Sequence, residues 1–197
     1  MKATHILVGA LAALPVLVSC TASSPAPKAD GHVDEPLSVT TTAPPSLFPR
    51  PREMPLDGVA PCTLLSEEQR GELSLDNPPN EYVETALAGA RACSLRSNLS
   101  GNVLRLALVT GESVLLWLDD YAQVEVETVE VVGFPALVVR TPGVEDVCNV
   151  EVDVAEGQFL DVMFRDGGNS TALTQDVLCQ GARRAAEAAV AGLLQRK

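Results

Sequence analysis

The chain reads as an α+β domain: a mostly antiparallel sheet packed against a long C-terminal helix and a short N-terminal helix, with two disulfides. Three observations predict this. Runs in which apolar and polar residues alternate recur between residues 91 and 164, broken by turns such as Ser100-Gly101 and Ala155-Glu156-Gly157. An apolar stripe of helical period occupies the last part of the chain. Four cysteines, Cys62, Cys93, Cys148 and Cys179, lie within this region, an even set that can pair. Strands in a row with helices at both ends give the α+β class.

The first element is a leader. Lys2 precedes an apolar run at residues 6–18, Ile-Leu-Val-Gly-Ala-Leu-Ala-Ala-Leu-Pro-Val-Leu-Val. That run falls short of the roughly 20 residues a transmembrane helix needs. A positive start, a short apolar core and a small residue before the cut mark a secretory signal. Leu17-Val18-Ser19-Cys20 has the form that a bacterial lipoprotein signal peptidase reads. On that reading residues 1–19 are removed. Cys20 then becomes the N-terminus, carries acyl chains such as palmitate, and holds the protein on the outer face of the cell membrane. Plain secretion, with cleavage near Ala22-Ser23, is the alternative. No twin-Arg pair precedes the apolar core.

Residues 20–60 read as the lipidated cysteine followed by a disordered tether. They hold Pro25, Pro27, Pro36, Pro44, Pro45, Pro49, Pro51 and Pro55, a Ser/Thr-rich run at residues 38–42, and no apolar period. Proline removes backbone donors and holds the chain extended, so no packed core is expected there. A flexible chain of this length spans roughly 35 Å on average and up to about 120 Å when extended.

Residues 61–197 form the single folded domain, of ordinary domain size. Pro61 ends the tether, and the segment from Cys62 to Gln69 opens a short helix with capping-box spacing between Ser66 and Gln69. Arg91 to Ser97 and Asn102 to Thr110 are strands joined by a turn. Val114, Leu115, Leu118 and Tyr121 fit one helix face, which predicts a short helix over 112–123. Val124 to Val132 is a half-buried strand, turned by Gly133-Phe134-Pro135-Ala136 into another at Leu137 to Arg140. Val147 to Val154 is the clearest strand. Cys148, Val150, Val152 and Val154 share one face, with Asn149, Glu151 and Asp153 on the other. Gln158 to Phe164 completes a hairpin with it. The loop Asp166-Gly167-Gly168-Asn169-Ser170 leads to a helix over 171–195, whose stripe of Val, Leu and Ala implies close packing on the sheet.

Assigning Cys20 to lipid leaves four cysteines in an oxidising compartment, which suits two disulfides. Three connectivities are open. Cys62–Cys93 with Cys148–Cys179 is favoured, because each pair would join a helix to a strand at equal sequence separation. A zinc site would ask for closely spaced cysteine pairs, and none exists.

Composition narrows function more by exclusion than by assignment. Fourteen basic against 26 acidic side chains give a net charge of −12. Such a balance opposes nucleic acid, whose phosphates need Lys and Arg, and electrostatic docking on anionic lipid. The two histidines, His5 and His32, precede the folded domain. Histidine triads and histidine metal sites are therefore excluded from it. Asp119-Asp120 reads as a solvated turn, and Asp161 and Asp166 flanking Arg165 as a surface ion-pair group worth little. Neither a cofactor nor a metal is expected. Trp117 and Tyr121, one turn apart on a helix over 112–123, are a candidate lining for a small apolar ligand pocket, or else ordinary core.

The order Pro61-Cys62-Thr63-Leu64-Leu65, Ala92-Cys93-Ser94, Gly133-Phe134-Pro135-Ala136, Cys148-Asn149-Val150-Glu151-Val152, Gln158-Phe159-Leu160-Asp161-Val162 and Cys179 in an Ala-rich helix, behind a lipobox and a Pro-rich tether, resembles a known family. It is the set of uncharacterised actinobacterial lipoproteins called domain of unknown function 3558. The chain departs from it at Leu95, where the family often carries an aromatic. The resemblance implies paired disulfides and an α+β sandwich; it implies no activity and no catalytic residues.

The expected function is a lipid-anchored cell-envelope protein whose non-enzymatic domain binds a protein partner or a small apolar ligand. A deep apolar cavity between sheet and last helix would favour the ligand, and a filled core the partner. A carboxylate-dependent hydrolase or transferase is one alternative and would need two acids converging in a cleft, one with its pKa raised by burial. A structural accessory of the cell wall is the other.

Overall fold

The computed structural model describes residues 47–169 and 171–196. The expected leader, Cys20 and most of the tether lie outside the described residues. Seven strands form one sheet: β1 Asn80–Glu84, β2 Ala90–Arg96, β3 Asn102–Val109, β4 Glu125–Val131, β5 Phe134–Arg140, β6 Val147–Ala155 and β7 Gln158–Asp166. Their order is β1-β2-β3-β7-β6-β5-β4, and every neighbouring pair is antiparallel. Two meanders, β1 to β3 and β4 to β7, are stitched together where β3 pairs with β7, from Asn102 opposite Asp166 to Val109 opposite Phe159.

Alternation sets the two faces. Leu104, Leu106 and Leu108 of β3, Val150, Val152 and Val154 of β6, and Leu160, Val162 and Phe164 of β7 are buried in the main core. The helix α1, Glu67–Glu72, and the long helix α2, Gln175–Leu194, are the α layer. Leu178, Ala182, Ala185, Ala186, Ala189, Val190 and Leu193 of α2 are buried in the same core. Small side chains let the helix backbone approach the sheet. A Cβ placed on Gly181 would lie 2.7 Å from the Phe164 ring, and one on Gly192 would strike the Leu64 carbonyl. None of the described helices is long and apolar enough to cross a membrane.

Both disulfides form with the favoured connectivity. Cys62–Cys93 ties the 3-10 turn Pro61–Thr63 to β2, and Cys148–Cys179 ties β6 to α2; in each the Cα atoms are 5.0 Å apart. Ser66 caps α1 with the expected box: its hydroxyl accepts from the Gln69 N–H, and the Ser66 N–H donates to the Gln69 side chain.

Four details differ from the sequence reading. Residues 47–60, read as tether, pack on the domain. Met54, Leu56 and Val59 are buried in its core, the Met54 N–H donates to Val154 O at 2.7 Å, and Arg50 pairs with Asp153. Proline content masked three apolar residues spaced for burial. The stretch 112–123 is not one helix but two 3-10 turns, Val114–Leu118 and Asp120–Ala122. Asp119 between them is extended and caps the second turn, which interrupts helical propagation. Strand β1 has no signature in the sequence, because Pro78-Pro79 precedes it and its residues Asn80-Glu81-Tyr82-Val83-Glu84 carry few apolar side chains. The β4–β5 turn is tighter than expected. Val132 and Gly133 alone make it, with φ of 52° and 84°, and Phe134 to Ala136 already belong to β5.

Candidate functional site

The sheet face opposite α2 carries polar side chains at its centre. Ala90 and Ala92 of β2 and Ala107 of β3 make a low floor among larger apolar side chains, Leu137, Phe159 and Trp117 included. Arg105 reaches out from β3. Its Nε donates to Asp161 Oδ1 at 2.9 Å, its Nη2 to Asp161 Oδ2 at 3.1 Å, and its Nη1 to Glu84 Oε2 at 3.1 Å. Asn149 of β6 donates to Asp161 Oδ2 at 2.8 Å, and the Tyr82 hydroxyl donates to Glu84 at 3.1 Å. A bidentate guanidinium–carboxylate pair of this kind is geometrically specific as well as strong.

Asp161 is fully buried, and so is Glu151, its cross-strand partner in β6. The polar neighbours of the Glu151 carboxyl are Asp161 and Asn149; as a carboxylate it has no hydrogen-bond donor among the described residues, and as an acid its O–H faces Asp161. Burial first, and then the charge of Asp161, push the Glu151 carboxyl well above the usual carboxylate range, so that it stands neutral. Burial alone would lower Arg105, but Asp161 and Glu84 outweigh it and hold the guanidinium above its ordinary value. Burial would raise Glu84; the Ala86 N–H, the Tyr82 hydroxyl and Arg105 bring it below its ordinary value instead.

Two different surfaces lie over this cluster. On the β1–β2–β3–β7 side a groove of about 570 Å³ opens, with Tyr82, Glu84, Arg96, Arg105, Met163 and Arg165 among its lining residues. On the other side the strap at residues 110–124, which joins β3 to β4, covers the face. Val114 is buried there, and Leu116, Trp117, Leu118 and Val124 pack on Leu137, Val139, Phe159 and their neighbours. The Trp117 Nε1–H is buried without an acceptor among the described residues. An unpaired buried donor typically costs about 1–3 kcal/mol, and the strap carries this one.

The expected pocket at Trp117 and Tyr121 does not form. With the segment in two 3-10 turns, Tyr121 is 92% exposed while Trp117 turns inward. Asp119 caps the Tyr121 N–H, as a turn residue would. Asp161, expected near Arg165 at the surface, is instead buried on Arg105, and Arg165 pairs with Asp146 at 2.7 Å. Asp166 caps its own loop by accepting from the N–H groups of Gly168, Asn169 and Leu173. Sequence reasoning missed the Arg105–Asp161–Glu151 cluster because alternation assigns a face and not its cover: Asn149, Glu151 and Asp153 read as a solvated side. The one available signal was Arg105 interrupting an otherwise apolar strand.

A family model described as "Protein of unknown function (DUF3558)" matches residues 15–192. No curated protein and no solved structure matches the chain.

Proposed function

The chain belongs to that family, whose description carries no activity, and from the chain's own residues we propose a lipid-anchored, extracytoplasmic binding module whose partner docks in the polar groove opposite α2. The observation that carries this reading is the contrast between the two sides of the sheet. The α2 side is packed so closely that Gly181 and Gly192 leave no room for a Cβ, which speaks against an apolar ligand held between sheet and helix. The other side presents an open groove whose walls are fixed by paired charges. Such walls offer donors and acceptors without reorganisation on binding. Support for the anchor comes from the cysteine count: of five cysteines, four are used in the two disulfides, leaving Cys20 for lipid.

A photocrosslinking residue at Arg96, in the groove, should capture a partner in intact cells, whereas one at exposed Glu187 on α2 should not. Equal capture from both positions, or capture from Glu187 alone, would refute the docking face. Cys20→Ala should release the protein from the membrane fraction or leave it unprocessed; unchanged retention of an unacylated chain would refute the anchor.

The carboxylate-chemistry reading has one observation in its favour, the meeting of Glu151 and Asp161. Both are sealed from solvent, so no substrate reaches them in this structure.

A further inference from the structure

Beyond the binding reading, we propose that the strap at residues 110–124 is a gate over the Glu151–Asp161 pair, closed while Glu151 keeps its proton and lifted when that proton leaves.

The strap is fastened by apolar contact alone. Its hydrogen bonds among the described residues are internal: Leu116 N–H to Ser113 O, Asp119 N–H to Leu116 O, Ala122 N–H to Asp119 O, Leu115 N–H to Ser113 Oγ and Tyr121 N–H to Asp119 Oδ1. None reaches the sheet, and no salt bridge among the described residues involves the strap. Its first turn lies against β6, the strand that carries Glu151. Closure leaves an unpaired donor on the strap, Trp117 Nε1–H, and on the sheet a Glu151 carboxyl that has no donor once ionised. Opening hydrates both. Gly111 at one end and Gln123 at the other, with φ of 51°, stand where a hinge must turn.

Charge counting makes Glu151 the trigger. The cation that acts on it is Arg105 from β3, already matched to Asp161 of β7 and Glu84 of β1. Its neighbours on β5 and β6, Leu137 and Asn149, are neutral. At the strap's start Asp153 is held by Arg50. The strap's own charges, Glu112, Asp119 and Asp120, are all acidic and exposed. A charge on Glu151 therefore meets no free cation and repels both Asp161 beside it and the strap above. Burial holds the proton in place well beyond the pH at which an ordinary carboxyl loses it, so the closed form is the neutral one.

Trp117 is the single tryptophan of the chain, so its fluorescence reports the strap directly. The full oxidised chain would be followed by emission wavelength and acrylamide quenching as pH rises, with far-UV circular dichroism in parallel. The expected result is a red shift and a several-fold rise in quenching, with a midpoint above the carboxylate range and no loss of dichroism. Glu151→Gln should keep Trp117 shielded throughout. Hydrogen exchange on the unmodified chain gives a second readout: protection should fall across residues 113–122 while β3 and β7 keep theirs. The gate is refuted if Glu151→Gln opens at the same midpoint, if Trp117 stays shielded to about pH 10, or if its exposure follows the loss of dichroism.

Discussion

At the scale of single residues, the sheet face opposite α2 shows how a buried carboxyl ties stability to pH. Glu151 has its pKa raised by burial and by Asp161, so the unfolded chain gives up this proton before the folded one does. Its contribution is complete below the unfolded pKa, and it is lost as pH climbs from there through the folded value. Asp166 runs the other way. The N–H groups of Asn169, Leu173 and Gly168 hold it below its ordinary value, so its contribution is present above the unfolded pKa and fades as pH falls through the folded one. The two together predict a stability maximum on the acid side, near about pH 4–5, where an unperturbed carboxyl titrates. Denaturant melts across pH should show that maximum, and Glu151→Gln should move it toward neutrality. A profile left unchanged by the substitution would mean that Glu151 ionises freely in the folded state. Arg105 acts on the same network without titrating, since it is the cation that makes a buried Asp161 tolerable.

At the scale of elements, the contact between α2 and the sheet is set by what is missing from the helix. Gly181 is buried against Phe164, and a methyl group there would sit 2.7 Å from the ring. Glycine in a helix interior is otherwise about 1 kcal/mol worse than alanine, so Gly181→Ala has two opposed effects. Overpacking typically costs about 1–3 kcal/mol, and here it should prevail because the obstacle is a buried ring rather than a flexible tip. The expected outcome is a lowered denaturation midpoint. A raised midpoint would show that Phe164 can turn aside. This helix was legible in the sequence, as were β2, β3, β6 and β7, because periodicity reports a buried face directly. Strand β1 and the packed run at residues 47–60 were not legible: their few apolar residues sit among prolines and acids, and only the partner surface gives those residues their meaning. The strap was misread for a related reason. Val114, Leu115, Leu118 and Tyr121 satisfy a helical period, but the local cap at Asp119 decides the backbone. The Arg105 cluster stayed hidden because alternation assigns its residues to a face without showing what covers that face.

At the scale of the whole molecule, the disulfides lie at the two places where the α layer meets the sheet. Cys62–Cys93 holds the entry of the chain onto β2, and Cys148–Cys179 holds the start of α2 on β6. Each closes a loop of sequence separation 31, and the loops do not overlap. In the chain-entropy account, a loop of that size gives about 3.5–4 kcal/mol by restricting the unfolded chain. Two separate loops restrict it independently, so their effects should add. Replacing either pair with alanine should then lower the unfolding free energy by a similar amount, and replacing both should lower it by about the sum. That is a large part of the roughly 5–15 kcal/mol by which folded domains are stable. Denaturant melts of the oxidised protein and the three variants provide the check, with the slope of each transition showing whether the unfolded state has expanded. Equal losses would place the stabilisation in the unfolded chain. A much larger loss for Cys148–Cys179 would place it in the folded state, because both of those cysteines are buried whereas Cys62 is only partly so.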